Sequence, residues 1–224
     1  MIKYTLKRSN RKNVTIYIRN GEVEVRAPLK IPQKDIDKIV ASKQKWIEDR
    51  LVISKEQHER RENFSLAYGD EITYMGRRYP IAAKPGDRVG FDEKCFYMPP
   101  GLPSDHIKHA CVQIYRMLAK RTLTNKVIDF AKKMSVSPTA VRITGAKTRW
   151  GSCSSKKSLN FSWRLMMADD DVIDYLVVHE LAHITEMNHS PRFWAIVASE
   201  LPDYRDRENK LKELQKKLRV ENWE

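Results

Sequence analysis

His179-Glu180-Leu181-Ala182-His183 reads H-E-x-x-H, a spacing that carries chemistry when it falls on a helix. Residues four apart lie one turn above each other on one face, so the two imidazoles can converge on a single Zn²⁺. Glu180 sits one residue past the first ligand, where its carboxylate can reach a water on the metal without ligating. Zinc lowers the pKa of such a water to about 7, and a carboxylate can take its proton as it attacks a carbonyl. The surrounding run from Val172 to Met187 is apolar on nearly every side and predicts a buried helix. Two unpaired histidines and a glutamate would be costly to desolvate there, which weighs against a purely structural role.

A catalytic zinc needs a third protein ligand and an open fourth position. His189 is the best candidate, separated from His183 by five residues, as in H-E-x-x-H-x-x-G-x-x-H sites. Those sites have a glycine where this chain has Glu186, so the turn geometry must differ, and Asn188 is the residue suited to supply a left-handed bend. Ser190-Pro191 reads as an N-cap followed by a first helical residue, which would hold His189 on a corner between two helices. Glu200 is a rival ligand, and Glu186 a weaker one because it crowds the same helix face. His58, His106 and His109 have no such company and are expected to face solvent.

The elements that must position these residues are legible in outline. Val14–Ile18 and Glu22–Arg26 alternate with period two around Asn20-Gly21, a strong hairpin signal. Pro32 opens a helical pattern through Ile36, Ile39, Val40, Trp46, Ile47 and Leu51, with its end and a connector expected from about Glu56 to Asn63. From Leu66 to Pro100 the texture is β again, with strands flanking Gly76 and Asp92-Glu93-Lys94. Pro99–Pro103 is the clearest break in the chain. Ser104 then reads as the N-cap of a long helix ending at Ser137-Pro138. Strands are expected at Ala140–Thr144 and Ser158–Met167, the Asp169–Asp171 run suits a helix N-terminus, and a short helix from Pro191 precedes a charged one after Asp206. The division expected is 1–103 and 104–224, or one continuous domain. The class is α+β.

The 224 residues carry 42 Lys and Arg against 29 Asp and Glu, a formal +13. That balance suits phosphates or nucleic acid as well as a merely solvated surface. The excess is dispersed: residues 1–62 hold 16 basic and 9 acidic side chains, with no basic block that marks a binding tail. Cys95, Cys111 and Cys153 stand apart without a C-x-x-C pair, which argues against a disulfide scaffold and a cysteine metal site. No signal-like or membrane-spanning run appears, so the expected compartment is the cytoplasm. The oligomeric state is not readable from sequence.

Residues 147–154 (KTRWGSCS), the strand ending Trp163-Arg164-Leu165, and VIDYLVVHELAHITEMNHSPRFW together resemble the YgjP-like metallopeptidase family. The N-terminal hairpin, the helix with Trp46-Ile47 and the Tyr68-Gly69 segment are similar too. The resemblance implies a zincin-like catalytic core behind an N-terminal β-rich region, related to SprT-like proteases, with His179, His183 and His189 as ligands and Glu180 as base. It carries the family's Arg-Trp-Gly-Ser-Cys stretch onto Arg149–Cys153. That stretch is read either as the border of a peptide cleft or as a core anchor (Trp150) with a bulge (Gly151).

The expected activity is therefore zinc-dependent peptide hydrolysis, with peptide or protein as substrate. The alternatives are hydrolysis of a nucleotide phosphoanhydride, which the positive charge favours but no glycine-rich phosphate loop supports, and a protease module acting on DNA-bound protein. Arg149, Trp150, Arg192 and Tyr204 are the candidate substrate-binding residues, and Arg149, Arg192 and Tyr204 are of a type that steadies an oxyanion.

Overall fold

The computed structural model describes residues 2–223, and the chain forms two compact units. The first runs to Phe64 and includes Arg219–Asn222; the second spans Ser65–Leu218 and includes Trp223. Pro99–Pro103, the break expected to divide the chain, is an internal corner of the second unit, and the units part at Phe64 and Ser65.

In the N-terminal unit β2 (Thr15–Arg19) and β3 (Glu22–Pro28) form the expected hairpin. Asn20 and Gly21 both have positive φ, 51° and 76°, the turn that matches the twist of the flanking strands. β1 (Thr5–Ser9) adds in parallel to β3, giving the order β1-β3-β2. The inward residues of β3, Val23, Val25 and Ala27, pack with Ile36, Val40 and Ile47. Those last three come from α1 (Gln33–Ser42) and α2 (Gln44–Glu62). The single helix expected here is two, because Lys43 leaves the helical region at ψ 13° and resets the phase of the apolar stripe. Trp46 consequently points outward, 46% exposed, while Ile47 is fully buried. The polar stretch from Glu56 continues as helix to Glu62 instead of forming a connector. Glu, Lys, Gln and Arg are good helix formers where packing does not decide.

The second unit holds two sheets and four helices. The first sheet has the order β4-β5-β7-β6, from β4 (Glu71–Tyr74), β5 (Arg77–Ala83), β6 (Gly90–Phe91) and β7 (Phe96–Met98). α3 (Ser104–Lys133) follows. Ser104 is its first helical residue and not the N-cap. Pro103 takes that place, and the Ser104 hydroxyl accepts from the Leu66 amide at 3.1 Å. The second sheet positions the site. β8 (Ala140–Thr144) runs parallel to β10 (Ser158–Ser162), and β9 (Gly151–Cys153) pairs antiparallel with β10's other side, so β9 is an edge. The strand expected to reach Met167 stops at Ser162, and Trp163–Met167 tightens into a 3₁₀ turn. Its apolar residues are still buried, stacked through Trp163 on Tyr115. α4 (Asp170–Ala182), α5 (Pro191–Glu200) and α6 (Tyr204–Leu218) complete the unit. The class is α+β with a strand-rich N-terminal region, as expected.

No helix among the described residues is long and apolar enough to cross a membrane. The three cysteines are free.

Candidate metal centre

α4 is held by burial on most of its circumference: Val172, Ile173, Leu176, Val177, Val178, Leu181 and Ala182 are all below the surface. Asp169 takes the N-cap position, and Asp170 and Asp171 place negative charge in the first turn, where the helix dipole favours it. Lys126 of α3 clasps Asp170 at 2.8 Å and Asp174 at 2.6 Å, tying α4 to its neighbour. On this fixed rod Tyr175, His179 and His183 recur at four-residue steps along one face.

The helix ends at Ala182, five residues short of the expected Met187, and His183 is its cap with φ −64° and ψ −17°. Because that residue stays in the right-handed region, His183 remains in line with His179. Amides of Ile184, Thr185 and Glu186 bond back to Leu181 and Ala182, so the chain leaves through a tightened turn. No residue from His183 to Ser190 has positive φ. The left-handed bend expected at Asn188 is absent, and Glu186 stands where a glycine would be without strain. Ser190 then caps α5 as expected, accepting from the Phe193 amide at 3.3 Å, with Pro191 first in the helix.

These two helix ends bring His179, His183 and His189 together, with one nitrogen from each within 4.8 Å of the others. The Nε2 atoms of His179 and His189 are 3.1 Å apart. Two nitrogens bound to a tetrahedral zinc at about 2.0–2.1 Å would lie about 3.3 Å apart, so the spacing fits a shared ion. His183 Nδ1 lies 3.1 Å from the Glu186 carbonyl. That carbonyl can only accept, so it favours the tautomer with the proton on Nδ1 and leaves the Nε2 lone pair free. Burial drives His179 down to about 3, with His183 and His189 adding to the effect, and burial lowers His183 as well. His179 and His183 are therefore neutral imidazoles at physiological pH, the form that binds metal. Neither Glu186 nor Glu200 joins the cluster among the described residues.

α5 backs the cluster with aromatic rings. Phe193, fully buried, lies 4.5 Å from the His183 ring, 4.9 Å from His179 and 4.8 Å from His189. Trp194 stacks on His189 at 5.8 Å, and Tyr204 stacks on Trp194 at 5.2 Å. Only Ser190-Pro191 signalled this helix in the sequence; two adjacent aromatics after it were the trace of its packing role.

Glu180, 4% exposed, faces the edge strand. A Cβ added at Gly151 would stand 2.5 Å from Glu180 Oε1, so the absent side chain is what admits the carboxylate. Gly151 pairs in regular register with Phe161 and is no bulge. Burial pushes the Glu180 carboxyl up to about 8 against the opposing pull of Arg149, and Oε2 is buried without a hydrogen-bond partner. An unpartnered buried oxygen is costly to a fold, and it is the arrangement that leaves a proton acceptor ready for a substrate or a water.

Arg149, Trp150 and Gly151 border a cleft of about 250 Å³ with Tyr175, His179 and Glu180. Trp150 is half-buried there and not a core anchor. Glu208, Lys212 and Gln215 of α6 form the facing wall; nothing in the sequence marked them. Of the other candidate residues, Arg192 is exposed in the first turn of α5 and Tyr204 packs behind Trp194; neither lines the cleft. Tyr175 does, and its phenol is held protonated by burial and by Glu208. His106 and His109 are exposed and His58 is half-buried, all away from the cluster.

No curated protein matches the chain. Solved structures similar to part of it include two metallopeptidase zymogens. One is the metallopeptidase zymogen of Pyrococcus abyssi abylysin, at 20% identity and TM-score 0.39, covering 45% of this chain and 98% of that one. The other is the metallopeptidase zymogen of Methanocaldococcus jannaschii jannalysin, at 23% identity and TM-score 0.36, covering 42% and 95%. The family model described as "YgjP-like, metallopeptidase domain" matches residues 12–214, from the N-terminal hairpin through the histidines to α6, and the chain belongs to this family of hydrolytic, metal-using enzymes.

Proposed function

We propose that this metallopeptidase is a zinc enzyme in which His179, His183 and His189 hold the ion and Glu180 moves the proton. The observation that carries the reading is the convergence of three imidazoles beside a buried carboxylate whose Oε2 has no partner. An all-nitrogen, three-ligand set suits zinc, and three ligands leave a fourth position open. The ion, when bound, supplies a Lewis acid that acidifies a water and polarises a carbonyl.

The chain's own groups do the rest. Glu180 takes a proton from the attacking water and returns it to the leaving amine. Its burial strengthens both transfers by excluding competing solvent dipoles. Burial raises its carboxyl and so lets Glu180 hold the proton between the two transfers. β9 presents an unpaired edge at the cleft, and an extended peptide can add to it as a further strand. Arg149, Trp150, Tyr175, Lys212 and Gln215 line the cleft with donors of a type that can meet the oxyanion; Arg192 and Tyr204 lie outside the lining. Three free cysteines suit a reducing compartment, and we place the enzyme in the cytoplasm.

The test compares parent and Glu180→Gln, both metal-loaded, on peptides, nucleoside triphosphates and DNA-bound protein. About one zinc per chain is expected in each. Peptide cleavage should fall by about 10²–10⁴-fold in the variant, the usual contribution of a general base. Undiminished cleavage would remove Glu180 from the mechanism. Triphosphate hydrolysis without peptide cleavage would move the substrate class to phosphoanhydrides.

A further inference from the structure

Beside the histidine cleft the β8–β10–β9 sheet carries a second concavity, of about 280 Å³. Its floor is the polar face of the sheet. Ser152 pairs in register with Asn160, and Ser162 with Thr144. The Asn160 amide donates to the Ser152 hydroxyl at 3.3 Å, and the Ser162 hydroxyl donates to the Ala146 carbonyl at 2.8 Å. Arg149 is the one charged side chain of the lining, and no carboxylate accompanies it. Its electrostatic pull falls on Glu180, which lines the other cavity, and no hydrogen bond or salt bridge of its guanidinium is found among the described residues. Five donors in a planar fork thus border a pocket otherwise built of hydroxyls and an amide.

The two cavities share Arg149, Trp150 and Gly151. Successive residues of a strand face opposite ways. Gly151 is turned toward Glu180, so Ser152 is turned into the polar concavity. A peptide paired along β9 alternates in the same manner. Where one of its side chains meets the histidine cleft, a neighbouring one meets the Arg149 pocket.

We infer that this concavity is a substrate-carboxylate subsite, in which Arg149 grips an acidic side chain or a free C-terminal carboxylate of the bound peptide. The inference rests on the peptidase reading. A carboxylate is the partner because it accepts two parallel N–H bonds from one guanidinium, whereas a lone carbonyl leaves most donors unused. Ser152 and Asn160 supply further donors at the pocket floor once their mutual bond opens.

Two measurements keep the subsite separate from the reading beneath it. Parent and Arg149→Gln are each given a randomised peptide pool, in free-acid and amidated forms, and cut sites are read by mass spectrometry. The parent should favour Asp or Glu at one fixed position, or free-acid over amidated ends, by about 10-fold in kcat/KM. The variant should bring that ratio close to one, and Arg149→Lys should restore part of it. The two pool forms tell a side chain from a terminus. A ratio unchanged in Arg149→Gln, with cleavage lowered equally on acidic and neutral peptides, would assign Arg149 to the oxyanion or to Glu180 and overturn the subsite. If the parent cuts no peptide, the peptidase reading fails, and binding decides the pocket. N-acetylglutamate and its carboxylate-free counterpart N-acetylglutaminamide are then titrated against parent and Arg149→Gln by NMR. Binding confined to the acid and abolished by the substitution upholds a carboxylate site; equal responses to both compounds refute it.

Discussion

In the N-terminal unit the buried residues of the core cluster, Val23, Val25, Ala27, Ile36, Val40 and Ile47, are all aliphatic. The second unit buries Lys108, Ser162, Glu180 and His183 among its aliphatic and aromatic side chains. Three of those four are reconciled with burial. Lys108 reaches out to Asp105 at 2.9 Å, Ser162 bonds to Ala146, and His183 Nδ1 meets a backbone carbonyl. Glu180 retains an orphaned oxygen. A core that is only aliphatic can be repacked with hydrophobes of similar volume at little cost to function. A core that keeps an unsatisfied carboxylate is less stable than it could be.

The strongest way to break this comparison is to excavate each core. Phe193→Ala and Ile47→Ala both remove large, fully buried side chains, and each should cost about 2–5 kcal/mol of stability. Their effects on metal should differ. Phe193 touches all three histidine rings, so its loss should also weaken zinc affinity, whereas Ile47→Ala should leave each folded molecule's affinity intact. Denaturation and metal competition with a chelating dye give the two quantities. Equal metal affinity in both variants would show that the aromatic backing does not position the ligands.

Gly151→Ala comes next. The new Cβ would stand 2.5–2.8 Å from Glu180 Oε1, Cδ and Cγ, so the carboxylate must shift. A displacement of about 1 Å at a catalytic group can cost about 10²-fold in rate. Zinc content should be unchanged, because no ligand lies in the way. Loss of metal along with activity would mean that β9 supports the histidines and not the base.

A smaller effect separates the two units by pH. In the metal-free protein burial holds the Glu180 carboxyl near 8, far above its unfolded value near 4.5. The folded state therefore binds this proton more tightly. The associated stability is complete below about pH 4.5 and is lost as pH rises through 8. Glu180→Gln removes that dependence, so the variant should match the parent's melting temperature near pH 5 and exceed it by several degrees at pH 9. Parallel pH profiles for the two proteins would show that the carboxylate is already solvated.

How much of this was written in the sequence depends on how local each signal is. His179 and His183 are four apart on one helix, so one period sufficed to pair them, and Asn20-Gly21 set the β2–β3 hairpin for the same reason. His189 could be proposed from spacing, but its bend could not, because the turn closes without any left-handed residue. The parallel pairing of β1 with β3 and the facing wall of Glu208, Lys212 and Gln215 left no local trace; tertiary approach alone brings them into place. Polarity hides a helix end at Glu56–Glu62, where solvated helix formers look like a connector, and burial that continues past the last ladder bond hides a strand end at Trp163–Met167. Gly151 fits two readings in the sequence, and its regular register with Phe161 and the proximity of Glu180 choose between them.

The mildest prediction sets a second glycine against Gly151. Gly21 has φ +76°, and a Cβ there would meet Lys55 Cγ at 2.7 Å. Lys55 is exposed and flexible, so it can swing aside, and the cost that remains is conformational. A residue with a side chain in the left-handed region loses about 1–2 kcal/mol, and asparagine less because it tolerates that region. Gly21→Ala should therefore destabilise the hairpin by about 1 kcal/mol, with Gly21→Asn recovering part of the loss. Both substitutions bring the same Cβ toward Lys55, so the difference between them reports the backbone alone. Neither should alter zinc affinity or cleavage rate per folded molecule, since both the turn and its neighbour belong to the unit whose core is purely aliphatic. Urea denaturation followed by activity normalised to folded fraction gives both numbers. If asparagine proved as damaging as alanine, the Lys55 contact would be the true constraint, and Gly21 would resemble Gly151 in being kept for close approach.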